Sequence, residues 1–381
     1  MNPIQVLEVV FSLTVQITLL VGLTSWLARR NSMSGPISER IWTSCLLSVC
    51  VVIPAVLALP CLRLLPRSWL NSVLTTTGTT EFARLAWVVV AVWAAGVVLS
   101  LAKLLAGWIR TFRFLSRHVS PISAEAVDVQ EIWEYETDRT RTSGPGKPLL
   151  RSSPFVAGPF CWQFHRPMVV LSEAVLEFPR VEVALVIRHE LIHLSRQHPI
   201  QLFLQKLLDV AFWFHPLVRH LSAQLDRSRE LVCDQLAIHD SVEAQAYLCS
   251  LLRLAEGSGG AAPDHDGTLE FLWQRQSWIQ DRVAAIAASE WKNRTVRGAA
   301  WRQFAIVLAA LVLCPLLRVP VDSATSRVAL VSPWPQWSAN ALHSLGIDVR
   351  DYEPDWFKTP QHEHHIPVMP DDYSQATGSD S

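Results

Sequence analysis

Three stretches of this chain run unusually long without a charged residue, and they restrict its fold more than any other feature. Val9 to Leu27, Ile41 to Leu62 and Ala86 to Ala102 contain no Asp, Glu, Lys or Arg. A helix rises about 1.5 Å per residue, so a bilayer core of roughly 30 Å needs about 20 apolar residues. The first two stretches meet that length. The third meets it once Lys103 extends its ammonium to the interface, because the apolar run then continues through Leu104, Leu105 and Trp108. A fourth run, Phe304 to Leu317, is shorter, and reaches membrane length over 299–321 with Arg302 and Arg318 near its ends. The expectation is four transmembrane helices.

Composition agrees. The chain is 50% hydrophobic, 18% charged and carries a net charge of −1. A disordered chain would be poorer in apolar residues and richer in charge. Lys+Arg 33 against Asp+Glu 34 leaves no basic excess, so no nucleic-acid partner is expected. The lipid bilayer is the first partner implied. No basic residue precedes the first run, and Arg29 and Arg30 follow it, which argues against a cleaved signal peptide. It also puts that end of the run in the cytoplasm. With alternation, the inside flanks hold Arg29, Arg30, Arg40, Lys103, Arg110, Arg113, Arg117 and the Lys292–Arg302 group. The outside flanks hold only Arg63, Arg67, Arg84, Arg318 and Arg327. The expected layout is a multi-pass protein of the cell (inner) membrane, with N-terminus and C-terminal tail outside. Residues 1–117 form a three-helix membrane domain, 118–298 a cytoplasmic domain, 299–321 the fourth span and 322–381 an acidic, partly disordered tail. The cysteines lie in spans or in the cytoplasmic part, so no disulfide scaffold is expected.

Within the middle, Leu149–Ser152 and Met168–Leu171 are strand candidates on either side of a turn around Gly158-Pro159. From Val181 the periodicity is that of a well-buried helix, interrupted at Pro199. Ile200 to Phe214 is apolar but carries Lys206 and Asp209. Pro216 opens a helix running to about Asp240, and two more follow near Glu243–Glu256 and Leu269–Trp291.

The chemistry lies at 189–193, which reads His-Glu-Leu-Ile-His. Histidines at i and i+4 sit one turn apart on one face, so both imidazoles can ligate one metal ion. The intervening Glu190 cannot usefully be a third ligand from that position. It lies where a carboxylate can take a proton from water activated by the ion, and zinc brings that water's pKa towards roughly 7. The motif also arises by chance, so a second feature is needed. Glu230 and Asp234, again i and i+4, supply it. Glu230 can be the third ligand, and Asp234 can accept a hydrogen bond from a ligand imidazole and fix its tautomer. Sharing one ion imposes a topological condition. If 200–217 crossed the membrane, His193 and Glu230 would start on opposite sides, so this segment is expected to be a core or interfacial helix.

The run HELIHLSRQHPIQLF…WFHPLV…RSRELVCDQLAI resembles the BlaR/MecR-type integral-membrane zinc peptidases, the β-lactam sensor-transducers and their relatives. SSPFVAGPF…RPMVVL is similar to the two-strand segment before that family's zinc helix. The resemblance spans about 150–240. It implies a mostly α membrane protein with an α+β, gluzincin-like zinc peptidase domain between the third and fourth spans. It implies one catalytic Zn2+ on His189, His193 and Glu230, Glu190 as general base, Asp234 behind a ligand, and a protein substrate, such as a cytoplasmic regulator. His198 stands near the position where the family usually has an acidic residue, and reads as a surface change or, alternatively, as a spare polar group near the metal. Cys233 reads as packing. Tyr247, His215 and His220 are candidates for the oxyanion donor.

The family's antibiotic sensors end in an exported penicillin-binding domain, and residues 319–381 are too few for one. Ser100-Leu101-Ala102-Lys103 and Ser289-Glu290-Trp291-Lys292 have the Ser-x-x-Lys spacing, but neither lies in the tail, so β-lactam acylation is not expected. The tail's His362-Glu363-His364-His365 reads as an exposed polar stretch. Two other readings compete with a signalling endopeptidase. One is a membrane CAAX- or heat-shock-type processing peptidase. The other is a non-catalytic receptor with a structural metal site.

Overall fold

The computed structural model describes residues 3–30, 35–58, 79–122, 127–140, 147–164, 166–259, 279–288 and 344–346. The fourth expected span and nearly all of the tail lie outside these. Three long helices come first: α1 (Pro3–Arg30), α2 (Gly35–Ala58) and α3 (Thr79–His118). Each holds a segment long and apolar enough to cross a membrane, at Val6–Arg29, Pro36–Val56 and Arg84–His118. α3 has 40 residues, about 60 Å at the usual rise and twice the bilayer core. It continues past the third apolar run as its sequence turns basic. Trp87, Val88, Val92, Val98 and Leu99 on α3 are exposed, as on a helix surface that faces lipid.

The polar stretch after α3 is more structured than its composition suggests. It holds strand β1 (Ser120–Pro121) and helix α4 (Val127–Thr140), and α4 buries Val129, Ile132 and Trp133. The two expected strands are present as β2 (Leu149–Ser153) and β4 (Met168–Ser172), with β3 (Phe160–Trp162) between them in sequence. β2 and β4 pair in parallel, Leu150 opposite Val169, rather than as a hairpin across Gly158. β3 runs antiparallel on the other edge of β4, and β1 antiparallel on the outer edge of β2, giving the order β1-β2-β4-β3. β4 is covered on both faces, so it reads as a continuous apolar run. Val169 and Leu171 pack towards α4 and the next long helix, whereas Val170 packs with Val156 and Phe160.

After the short α5 (Glu173–Leu176) come α6 (Arg180–Ser195), α7 (His198–Ala211), α8 (Pro216–Ala237), α9 (Ser241–Gly259) and α10 (Ile279–Ala287). Gln197, in the left-handed region at φ 58, breaks the chain between α6 and α7, and Pro199 sits in the first turn of α7. α7 has 14 residues, too short to cross a bilayer. With α8 it forms a hairpin against the three long helices. Leu208 of α7, Phe212 just after it, and Val218, Leu221 and Leu225 of α8 share one core with Ile17, Leu20, Trp42, Leu46 and Val49. At its tip, His215 Nε2 lies 3.1 Å from Thr18 Oγ1 on α1. There too Trp93 Nε1 of α3 donates to Ala211 O at 3.1 Å. Trp213 Nε1 donates back to Trp93 O at 3.3 Å, with its indole lying on Gly96. The tip of the hairpin therefore packs within the lengths of α1 and α3.

Candidate metal centre

α6 is buried on nearly every side, which suits a helix carrying ligands on one face and core residues on the rest. His189, Glu190 and His193 are all almost inaccessible, and so are Glu230 and Asp234 on α8. The structure brings the expected ligands together. His189 Nε2 and His193 Nε2 are 3.1 Å apart. Glu230 Oε2 lies 3.5 Å from His189 Nε2, and Glu230 Oε1 lies 3.5 Å from His193 Nε2. Donors about 2.0–2.1 Å from a tetrahedral zinc stand roughly 3.3 Å from one another. The three side chains therefore could hold one ion, with Nε2 as the nitrogen that each imidazole turns towards it.

The far edge of His189 is held by three residues. Its Nδ1 lies 3.1 Å from Asp234 Oδ1 and 2.8 Å from Tyr247 Oη. The phenol in turn donates to Asp234 Oδ1 at 2.7 Å. Arg282 on α10 closes the group, with Nε to Asp234 Oδ2 at 2.8 Å, Nη2 to Asp234 Oδ1 at 2.7 Å, and Nη1 to Glu230 Oε2 at 3.1 Å. With both acceptors on the Nδ1 side, the proton of neutral His189 stays there and the Nε2 lone pair faces the other ligands.

Electrostatics follow from this packing. Burial opposes charge on Asp234, but Arg282 outweighs it and holds the carboxyl below its ordinary range. Burial likewise opposes the imidazolium of His189, yet Asp234 and Glu230 raise its pKa. Burial and the neighbouring Asp234 charge raise the Tyr247 phenol well above its usual value, so it remains an O–H donor.

Three residues sit differently from the sequence reading, and a fourth, His198, takes the second of its two expected places, beside the ligand candidates. His198 is not on the surface. It is 2% exposed, its Nδ1 lies 2.9 Å from His193 Nδ1, and its Nε2 lies 3.6 Å from Glu39 Oε1 of α2. Its position at the start of α7, immediately after the Gln197 turn, points it back at α6. Burial pushes its pKa down to about 4, leaving it neutral. Tyr247 holds the back of His189. His215 caps α8, with Nδ1 accepting from Leu217 N at 3.2 Å. His220 packs edge-on against Trp42. Cys233 is fully buried, as expected of a packing residue, and its Sγ is 3.6 Å from His198 Nδ1. His193, His198 and Cys233 form a second group with metal-ligating atoms in reach of one another.

The sequence reading missed Arg282 and Glu39. Arg282 had a faint signal, since it lies four residues before Ile286 on the buried face of α10. Glu39 had none beyond being an acid inside an apolar helix.

Comparison with known proteins agrees with this architecture. The family model described as BlaR1 peptidase M56 matches residues 68–286, which include α3 and every residue of the site on α6, α8, α9 and α10. The regulatory protein BlaR1 of Bacillus licheniformis is 29% identical over 102 residues. That match covers 27% of this chain and 17% of the relative, so it spans well under a fifth of that protein's length. With more than half of its length under the family model, this chain belongs to the BlaR1 peptidase M56 family.

Proposed function

We propose that the protein is a membrane-embedded zinc endopeptidase that cleaves a cytoplasmic or membrane-proximal protein in signal transduction. His189, His193 and Glu230 hold the ion, Glu190 is the general base, and Asp234 orients His189. The observation that carries this reading is the convergence of two imidazole nitrogens and a carboxylate at 3.1–3.5 Å. Three such protein ligands leave a fourth position open, as catalytic zinc sites require. A bound zinc supplies Lewis acidity to the scissile carbonyl. Glu190 accepts the proton of the attacking water as the C–O bond forms, and delivers it to the leaving amine as the C–N bond breaks. Arg282 and Tyr247 keep Asp234 ionised and in place, so His189 keeps its tautomer through the cycle.

The same reading assigns 118–298 to a cytoplasmic, gluzincin-like domain, in which α6 carries the motif and α8 the distant Glu. It assigns 1–117 to three spans, 299–321 to a fourth and 322–381 to the outside. The α7–α8 hairpin enters the helical bundle and returns, which keeps His193 and Glu230 on one side.

The test is Glu190→Gln in proteoliposomes, with an unfolded protein such as casein as substrate and the chain itself watched for self-cleavage. Zinc content should equal that of the wild type, while cleavage falls at least about a hundredfold, the usual scale of a lost general base. Equal cleavage by both proteins would overturn the mechanism. The glutamine variant then serves as a trap for identifying the natural substrate.

A further inference from the structure

The two histidine ligands are supported from different parts of the fold. Asp234 and Tyr247 hold His189 Nδ1 from α8 and α9. His193 Nδ1 instead faces His198 Nδ1 at 2.9 Å, and the other nitrogen of His198 faces Glu39. We propose that Glu39 is a positioning residue for the ligand His193, acting through the imidazole of His198, so that a membrane helix carries part of the support of the metal site. This rests on the assignment of His189, His193 and Glu230 as metal ligands.

The proton bookkeeping leads there. His193 presents Nε2 to the other ligands, so its own proton is on Nδ1. His198 must then accept at Nδ1, which puts its proton on Nε2. That nitrogen is buried and makes no hydrogen bond among the described residues. Glu39 Oε1 lies 3.6 Å away, slightly beyond hydrogen-bond length, and an approach of about half an ångström completes the bond. The carboxylate is 3% exposed and anchored from its other oxygen by Arg196 Nη2 at 2.6 Å. Arg196 directly follows α6, so the chain of contacts leaves α6 at His193, passes through His198 to α2, and returns to the end of α6. A carboxylate behind a ligand imidazole raises its basicity and fixes its ring. For His189 that carboxylate is adjacent; for His193 it is one imidazole further away, on α2.

The same atoms allow another use. His193, His198 and Cys233 could hold a second ion, but only if His193 gave up its Nδ1 proton and bridged two ions. The relay requires one ion per chain.

The experiment uses the full chain in detergent or nanodiscs. Zn2+ affinity is measured by chelator competition, and Co2+ serves as a spectroscopic probe of ligand geometry. Glu39→Ala should weaken metal binding by about 10- to 100-fold, the range seen when such outer partners are lost, and should shift the cobalt d–d bands. Glu39→Gln, which keeps an acceptor oxygen, should lose less. Thermal unfolding of each variant in chelator checks that it folds. The decisive arm is His198→Asp. Aspartate Oδ1 lies the same number of bonds from Cα as histidine Nδ1, so it can accept the His193 proton directly. In that background Glu39→Ala should cost less than about threefold. The relay is overturned if Glu39→Ala binds zinc like the wild type with an unchanged cobalt spectrum. It is overturned equally if the loss is the same in the His198→Asp background, or if two ions bind per chain. A wild-type protein that binds no metal overturns the ligand assignment itself, and the relay with it.

Discussion

Arg282→Met removes the guanidinium while keeping most of the stem. The wild-type side chain makes two bonds to Asp234, one to Tyr247 Oη at 2.8 Å, and one ion pair to Glu230. Asp234 is 2% exposed and Glu230 3%, so neither carboxylate can recover hydration. Losing one partner of such a buried pair costs about 3–5 kcal/mol. An independent bound comes from the escape route open to the variant. Asp234 can take up a proton, which at pH 7 costs about 1.4 kcal/mol for each of roughly three pH units above the ordinary aspartate pKa, about 4 kcal/mol in all. The two estimates agree, and the bond-by-bond sum of about 6–12 kcal/mol for four charge-assisted contacts is set aside because protonation intervenes first. The readout is thermal unfolding of the chelator-treated full chain in detergent, since a bound dication would mask the loss. A domain of 150–250 residues moves about 2–4 °C per kcal/mol, so the midpoint should fall by roughly 8–16 °C. The pH dependence has a definite sign. In the wild type, Arg282 lowers the Asp234 pKa, so that stabilisation is present above the unfolded aspartate pKa and is lost as pH falls through the folded value. In the variant, burial is opposed only by the hydrogen bonds from His189 and Tyr247, and that pKa rises relative to the wild type. The gap between the two proteins should therefore be widest near pH 7–8 and shrink by about 1.4 kcal/mol per pH unit on acidification towards pH 4–5. Asp234→Asn added to Arg282→Met should recover part of the loss at pH 7. A gap of constant size from pH 8 to 5 would refute the reasoning, because the unpaired carboxylate would then not be its source.

Tyr247→Phe removes one acceptor from His189 Nδ1 and leaves Asp234 to hold the ring alone. Metal affinity should drop about tenfold by chelator competition, whereas a drop below twofold would mean the phenol is packing only. Gly96→Ala places a Cβ inside the Trp213 indole. The indole must move, giving up its bond to Trp93 O, at an overpacking cost of about 1–3 kcal/mol. Thermal midpoint and Trp fluorescence should both change, and an unaltered spectrum would show that α3 does not pack against the hairpin tip as described.

Legibility from sequence followed the range of the signal. The three long apolar helices are uninterrupted uncharged runs, and the His189/Glu190/His193 face is a local periodicity, so both are readable within one helix. Glu230 and Asp234 were readable because they repeat the i, i+4 logic on a second helix. The strands β2 and β4 were visible as apolar runs, but their parallel pairing was not, because pairing depends on where β3 and α4 pack. α4 itself was hidden by a polar sequence that buries only one narrow stripe. His198 could be read either as a surface change or as a polar group near the metal, because its burial comes from the left-handed turn at Gln197, which points the first residue of α7 back at α6. Arg282 and Glu39 reach the site from 48 residues after Asp234 and from 157 before Arg196. No periodicity connects such separations.

The buried charges supply an argument about the ion that is independent of ligand geometry. Counted by formal charge, Glu190, Glu230 and Asp234 are three acids in one inaccessible region, and Arg282 is one base. Glu39 with Arg196, and Asp226 with Arg229, cancel in pairs nearby. The balance is −2, and an uncompensated charge of that size cannot persist in a low-dielectric interior. The raised pKa of His189 is the protein's partial answer when only protons are on offer. A divalent cation answers it in full, and does so at the three atoms already spaced to receive one. A monovalent ion would leave the region short by one charge, and an anion would worsen it. Charge balance and ligand spacing therefore select the same class of ion. The Glu39–Arg196 pair, with neutral His198 between it and His193, adds no net charge to the region.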